Sequence, residues 1–230
     1  MGEGAAIKGF IEASFLDWPG RVAAVVFLPG CNFRCPFCHN KELVLNPRFF
    51  EDISLEEVVA GLRGNEGWID GVVVTGGEPT LSPGLPELIR TLRAEGLPVK
   101  LDTNGSMPEV IKMLLEEGLI QAVAMDVKAP LNIDDYSRAA GTAADLDAVK
   151  ESISLLCGSG IEVTFRTTVV PALHDEAAVR AIAGALPGHR LLLQNFRPAD
   201  TLDPAYSVMK PFPAEDFERL CAIGDGPGRG

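Results

Sequence analysis

Six short apolar segments alternate along the chain with amphipathic ones, and this alternation constrains the fold more than any other feature. Strand candidates are 22–28 (VAAVVFL), 69–75 (IDGVVVT), 97–102 (LPVKLD), 121–126 (QAVAMD), 161–168 (IEVTFRTT) and 190–195 (RLLLQN). They are rich in Val, Ile and Leu, as strands covered on both faces are. Helix candidates at 55–63, 85–95, 108–117, 145–157 and 175–185 lie between them. Within 108–117, Val110, Ile111, Leu114 and Leu115 fall on one helical face. Ser54 and Glu57 have the spacing of a capping box, and Pro108 suits a first-turn position. The βα order predicts an α/β fold with a parallel sheet and right-handed crossovers. Six units fit a single-domain partial (β/α)6 barrel better than a closed eight-fold one; a doubly wound sheet is the alternative.

The 230 residues, 47% of them apolar, suffice for one large domain. Residues 1–20 form an N-terminal extension that adds a strand or a lid, residues 21–222 carry the barrel, and 223–230 read as a flexible tail. The net charge is −12 and there is no Lys/Arg run, so neither nucleic acid nor an anionic membrane is an expected partner. The acid excess also repels acidic proteins unless they dock locally. Residues 1–10 lack a basic start followed by an apolar stretch, and the longest apolar run, Val22 to Leu28, falls far short of a membrane span. The expectation is a cytoplasmic protein. There thiols stay reduced, and five cysteines point to metal or catalysis before disulfides.

Three of those cysteines follow the first strand in the run Gly30-Cys31-Asn32-Phe33-Arg34-Cys35-Pro36-Phe37-Cys38-His39-Asn40. Thiolates are soft ligands that suit iron–sulfur or zinc. Three thiolates, not four, leave one metal position open, the mark of a site that binds substrate or cofactor. A zinc knuckle recruiting His39 as fourth ligand competes with this reading. Cys35 to His39 also matches the C-x-x-C-H haem-attachment pattern, which ranks low without an export signal. A redox C-x-x-C would leave the third cysteine idle. Cys157 and Cys221 lie in helical patterns among apolar neighbours, where packing explains them.

Ligands in βα folds bind at the carboxyl ends of strands, where the cysteine run begins. Other strand ends carry polar groups too. They are Thr75-Gly76-Gly77-Glu78-Pro79, Asp102-Thr103-Asn104-Gly105, Asp126-Val127-Lys128, Arg166 inside an apolar stretch, and Gln194-Asn195. Each has a plain alternative: a turn, a helix start, a surface ion pair, an arginine facing solvent. Coincidence at five strand ends is less economical than one shared site.

The cysteine spacing with Phe37 before the third cysteine, followed by Gly76-Gly77-Glu78-Pro79, resembles the radical SAM superfamily. The finer resemblance is to glycyl-radical-enzyme activating enzymes. Ser14-Phe15-Leu16-Asp17-Trp18-Pro19-Gly20-Arg21 looks like their N-terminal segment. Asp102-Thr103-Asn104-Gly105, Asp126-Val127-Lys128 (Val127 where Leu is more usual) and Arg166-Thr167-Thr168-Val169-Val170-Pro171 resemble their later strand motifs. The run from Pro29 to Asn40, with Gln194-Asn195-Phe196-Arg197-Pro198, is most similar to anaerobic ribonucleoside-triphosphate reductase activating proteins. The chain passes from Cys38 to its next helix in under twenty residues, leaving room for one cluster only.

The resemblance implies a [4Fe-4S] cluster on Cys31, Cys35 and Cys38, with S-adenosylmethionine on the open iron. A flavodoxin or ferredoxin would supply the electron that cleaves the sulfonium. The resulting 5′-deoxyadenosyl radical would take hydrogen from a glycine of a partner glycyl radical enzyme. It further implies that Gly76, Gly77 and Glu78 border the methionine amine, that Asp102, Asn104, Lys128 and Arg166 fix the carboxylate and ribose, and that Phe37 receives the adenine. A monovalent cation at Asp102, Thr103 and Asp126 also follows from it. No protein side chain is expected to act as the chemical catalyst itself. Two rivals stand beside this reading: a radical SAM enzyme for a small molecule or peptide, and a zinc-binding interaction module.

Overall fold

The computed structural model describes residues 4–225. Its seven strands are β1 (Gly9–Ser14), β2 (Ala23–Leu28), β3 (Gly71–Gly76), β4 (Val99–Thr103), β5 (Ala122–Asp126), β6 (Glu162–Val169) and β7 (Leu191–Asn195). They stand in sequence order in one sheet that runs from β1 to β7 without closing. The helices are α1 (Lys41–Leu45), α2 (Leu55–Gly64), α3 (Leu85–Ala94), α4 (Pro108–Glu116), α5 (Ile133–Ala140), α6 (Leu146–Cys157), α7 (Glu176–Gly184), α8 (Pro204–Ser207) and α9 (Ala214–Gly224). All six strands expected from the apolar segments form, and β1 adds a seventh from within residues 1–20. Helices α1, α5, α8 and α9 are additional to the expected set. Helix α9 runs to Gly224, inside the stretch expected to be tail, and residues 226–230 of that stretch lie outside the described residues.

Contacts divide the chain into two compact units. The first comprises, of the described residues, 4–32, 42–103 and 109–123. In it β1 pairs antiparallel with β2, while β2 with β3 and β3 with β4 are parallel. Val72, Val73 and Val74 are fully buried, as their unbroken apolar run requires of a strand covered on both faces. Each contributes about 1.5–3 kcal/mol by leaving water. Trp18 packs with Ala23, Val25, Val73 and Ala122. It lies so close to Gly71 that a Cβ there would meet its ring at 2.7 Å. At α2 the capping box forms: the Glu57 N–H donates to Ser54 Oγ at 3.1 Å, and the Ser54 N–H to Glu57 Oε2 at 2.7 Å.

The second unit comprises, of the described residues, 33–41, 104–108 and 124–225. Here β6 and β7 are parallel. Phe165, Thr167 and Val169 are buried while Arg166 and Thr168 are half-buried, so alternation sends Arg166 to the other face of its strand. Helix α5 starts at an Asn132 cap, whose side chain accepts from the Asp135 N–H. It ends at Gly141 in the left-handed region, φ 67°. A Cβ on Gly141 would stand 2.0 Å from the Arg34 carbonyl oxygen, and the Arg34 N–H donates to the Ala140 carbonyl at 2.7 Å. The end of α5 is therefore pressed against the cysteine loop.

Candidate functional site

In the first unit, the turn after β3 is built onto the backbone that leads into Cys31. The Gly77 N–H donates to the Leu28 carbonyl at 2.9 Å and the Glu78 N–H to the Gly30 carbonyl at 2.7 Å. A Cβ on Gly76, at φ 123°, would lie 2.2 Å from the Leu28 oxygen, and one on Gly77 only 1.7 Å from the Gly30 oxygen. Both glycines thus have a packing cause: two backbones meet where no side chain fits. Glu78 is 1% exposed. Its Oε1 accepts from Thr80 Oγ1 at 2.6 Å, from the Thr80 N–H at 3.2 Å and from Thr103 Oγ1 at 2.7 Å. This carboxylate ties the end of β3 to the end of β4.

One turn back along β4, Lys100 and Asp102 project to the same side, as residues two apart on a strand do. Lys100 Nζ donates to Asp102 Oδ1 and to the Asp17 carbonyl, both at 2.7 Å. The two side chains are 5% and 9% exposed. The Ser14 hydroxyl donates to the Asp17 carboxylate, and the Leu16 N–H to Ser14 Oγ at 3.2 Å. The N-terminal segment singled out in the sequence therefore serves as an anchor for a buried ammonium, a residue that sequence reasoning passed over.

In the second unit, the end of β5 carries a three-member ion cluster. Asp126 Oδ2 accepts from Lys128 Nζ at 2.9 Å, while Oδ1 pairs with Arg166 Nε. Burial alone would raise the Asp126 carboxyl. The Arg166 guanidinium and Lys128 ammonium outweigh it and hold the carboxyl far below the usual range. Burial likewise disfavours the Lys128 charge, but Asp126 and then Cys35 reverse the sign and push its pKa up. The strands are cross-braced as well: the Val127 N–H donates to the Arg166 carbonyl at 2.9 Å and Thr167 Oγ1 to the Val127 carbonyl at 2.6 Å. Asn104 is buried, and its Oδ1 accepts from the Ser106 N–H at 2.9 Å, a local turn.

Cys31 lies in the first unit, Cys35 and Cys38 in the second, and no disulfide involves any of the five cysteines. The Cys38 N–H donates to the Cys35 carbonyl at 3.0 Å in a tight turn. The Leu202 N–H donates to the Cys38 carbonyl at 3.1 Å and the Asp203 N–H to the Pro36 carbonyl at 2.9 Å, pinning this turn from outside. Burial pushes the Cys38 thiol up, with the Asn40 N–H, Lys128 and Arg34 acting against it. Phe37 is buried. His39 stacks on Phe196, and its Nε2 lies 2.8 Å from the Arg197 carbonyl. Among the described residues no three of His, Cys, Asp and Glu group as ligands for a single metal ion. The His39 ring is thus engaged by Phe196 and the Arg197 carbonyl. Soft thiolates are the donor type that iron–sulfur clusters take.

Two further buried groups escaped the sequence reading. His174 Nδ1 accepts from the Val170 N–H at 3.0 Å, so Nε2 carries the proton and donates to the Lys128 carbonyl at 2.9 Å. Burial lowers its pKa, keeping the ring neutral. Tyr136 is fully buried, and its hydroxyl has no hydrogen-bond partner among the described residues. Its ring meets Phe33 edge-on at 6.4 Å. Nothing in the local sequence marks either residue, because their burial comes from distant elements.

Comparison with known proteins agrees with this chemistry. The model of the radical SAM superfamily matches residues 25–183. A Methanocaldococcus jannaschii protein, provisionally named a glycyl-radical enzyme activating enzyme, is 34% identical over 218 residues, covering 92% of this chain and 88% of its own. The pyruvate formate-lyase-activating enzyme of Clostridium pasteurianum is 26% identical over 194 residues, covering 80% and 77%. Among solved structures, TYW1 with a lysine-pyruvate adduct bound superposes with a TM-score of 0.64 over 88% of this chain and 72% of its own, at 17% identity. That likeness concerns the fold alone. No helix among the described residues is long and apolar enough to cross a membrane.

Proposed function

The chain belongs to the radical SAM superfamily, and from that premise we propose that it activates a glycyl radical enzyme, the anaerobic ribonucleoside-triphosphate reductase first among candidates. Membership makes it a radical SAM enzyme that uses a [4Fe-4S] cluster and S-adenosylmethionine. What carries the finer reading is the length of the likeness: the relative named for enzyme activation matches 92% of this chain. The Ser14–Arg21 segment, common to the resemblance and to the Lys100 anchor, supports it as well.

On this reading Cys31, Cys35 and Cys38 hold the cluster. When bound, the reduced cluster and S-adenosylmethionine supply a carbon radical by one-electron cleavage of the sulfonium bond. The protein's part is to hold, orient and keep dry. Gly76 and Gly77 would border the methionine amine with bare backbone. Glu78 and Asn104 act as positioning residues, since Glu78 already accepts three hydrogen bonds and Asn104 is turned onto the Ser106 N–H. Lys128 and Arg166, both paired with Asp126, would hold the carboxylate and ribose, with Asp102 as an acceptor. Phe37 would receive the adenine. A flavodoxin or ferredoxin supplies the electron.

The test is direct. Anaerobic protein, reductant and S-adenosylmethionine, incubated with the reductase, should give a doublet electron paramagnetic resonance signal centred on a glycine. The signal should vanish when that glycine becomes alanine. Cofactor cleavage without any such signal from the reductase or another glycyl radical enzyme would remove the activase reading and keep the superfamily.

A further inference from the structure

The resemblance places a monovalent cation at Asp102, Thr103 and Asp126, and the carboxylates found there do not fit one. The Asp102 carboxylate already holds the Lys100 ammonium at 2.7 Å, with the pair 5% and 9% exposed. The ammonium is fixed from behind by the Asp17 carbonyl, also at 2.7 Å. Within the second unit, both Asp126 oxygens are engaged, one by Lys128 and the other by Arg166. A potassium or sodium ion added at Asp102 would sit within contact range of a buried positive charge, where repulsion is little screened. A tethered ammonium has the same charge as potassium and, through Asp17, a second oxygen ligand.

We propose that Lys100 is a built-in replacement for that cation: its ammonium neutralises Asp102, and cofactor binding by this chain is indifferent to monovalent salts. The inference rests on the radical SAM reading, and it makes Lys100 a positioning residue acting through Asp102. It also gives the Ser14–Asp17 hydrogen bond a purpose. That bond shapes the loop whose carbonyl completes the coordination of the ammonium.

The experiment measures S-adenosylmethionine affinity of the cluster-loaded protein in potassium, sodium and tetramethylammonium chloride at equal ionic strength. The expected wild-type change is less than about 2-fold across the three salts, because equal ionic strength screens equally and no cation is recruited on binding. Lys100→Met vacates the position, and its affinity should rise roughly tenfold on adding potassium to tetramethylammonium, as expected for a site whose charge is compensated by a bound ion. Lys100→Arg should restore indifference. The melting temperature of the cluster-free Lys100→Met chain should likewise rise with potassium, and that of the wild type should not. A wild-type affinity that depends on potassium overturns the proposal, whatever the variants do. So does a folded Lys100→Met chain that ignores potassium in both measurements. Failure of the wild type to bind the cofactor in any salt would instead count against the superfamily chemistry, so the two failures are told apart.

Discussion

A methyl group on Gly77 would stand 1.7 Å from the Gly30 carbonyl oxygen, and the atom in the way is backbone, which cannot swing aside. Gly77→Ala must therefore push the β3 turn off the cysteine loop. The expected cost is about 1–3 kcal/mol in urea unfolding, in the range of overpacked cores, with loss of bound iron after reconstitution. Gly20→Ala is the control: φ is 78° but no atom lies within 4 Å. It should cost about 1 kcal/mol through backbone strain alone and leave the iron content unchanged. His174 makes a second prediction at this scale. Burial depresses its folded pKa, whereas in the unfolded chain it titrates near 6.5. Between those values the unfolded state binds the extra proton. Stability from this group is thus complete above about pH 6.5 and is lost as pH falls toward the folded value. The urea midpoint of the wild type should drop across that window, and His174→Asn should flatten the drop. An unchanged slope would show that His174 does not govern it. The cysteine spacing and Gly76-Gly77-Glu78 stand out in the sequence because each pattern is local. Lys100 was legible in principle, since residue 102 shares its face. It was passed over because a lysine in a strand reads as a solvated edge, and only the fold brings the Asp17 carbonyl to it.

Strands were the most legible elements, because runs such as Val72–Val74 have one explanation at that length. Helix α2 was legible by its cap, and that cap has a measurable value. Ser54→Ala removes the acceptor for the Glu57 N–H and should cost about 1 kcal/mol in thermal or urea unfolding, without altering cluster loading. A loss of iron in that variant would mean that α2 is tied to the site in a way the cap does not explain. Helix α5 shows the limit of periodicity. Its buried residues are Tyr136, Ala139 and Ala140, too small and polar a set to register as an apolar face. Its end signals, Asn132 before the helix and Gly141 after it, were present. The run between them is acidic and polar, and the contact that holds this helix is with the backbone of the cysteine loop, about a hundred residues earlier in the chain.

For the whole molecule, the parallel sheet was legible from the order of its segments, and six βα units, too few for an eight-fold ring, already argued for an open one. Strand tilt and stagger were not legible, because apolar runs do not encode them. A net charge of −12 bears on function at this scale. A protein substrate must overcome general repulsion if it is acidic, so recognition has to come from a local surface and association should quicken as salt rises. The central claim is that the hydrogen removed by the cofactor-derived radical comes from a glycine in another protein. The measurement closest to it is isotopic. Reductase deuterated at its glycine Cα is incubated anaerobically with this protein, S-adenosylmethionine and reductant, and the 5′-deoxyadenosine formed is weighed by mass spectrometry. The account predicts one deuterium per nucleoside, lost when the target glycine is replaced by alanine. If no glycyl radical enzyme passes its label on while a labelled small molecule or peptide does, the chemistry stands and the assignment of a glycyl radical enzyme as its substrate is contradicted.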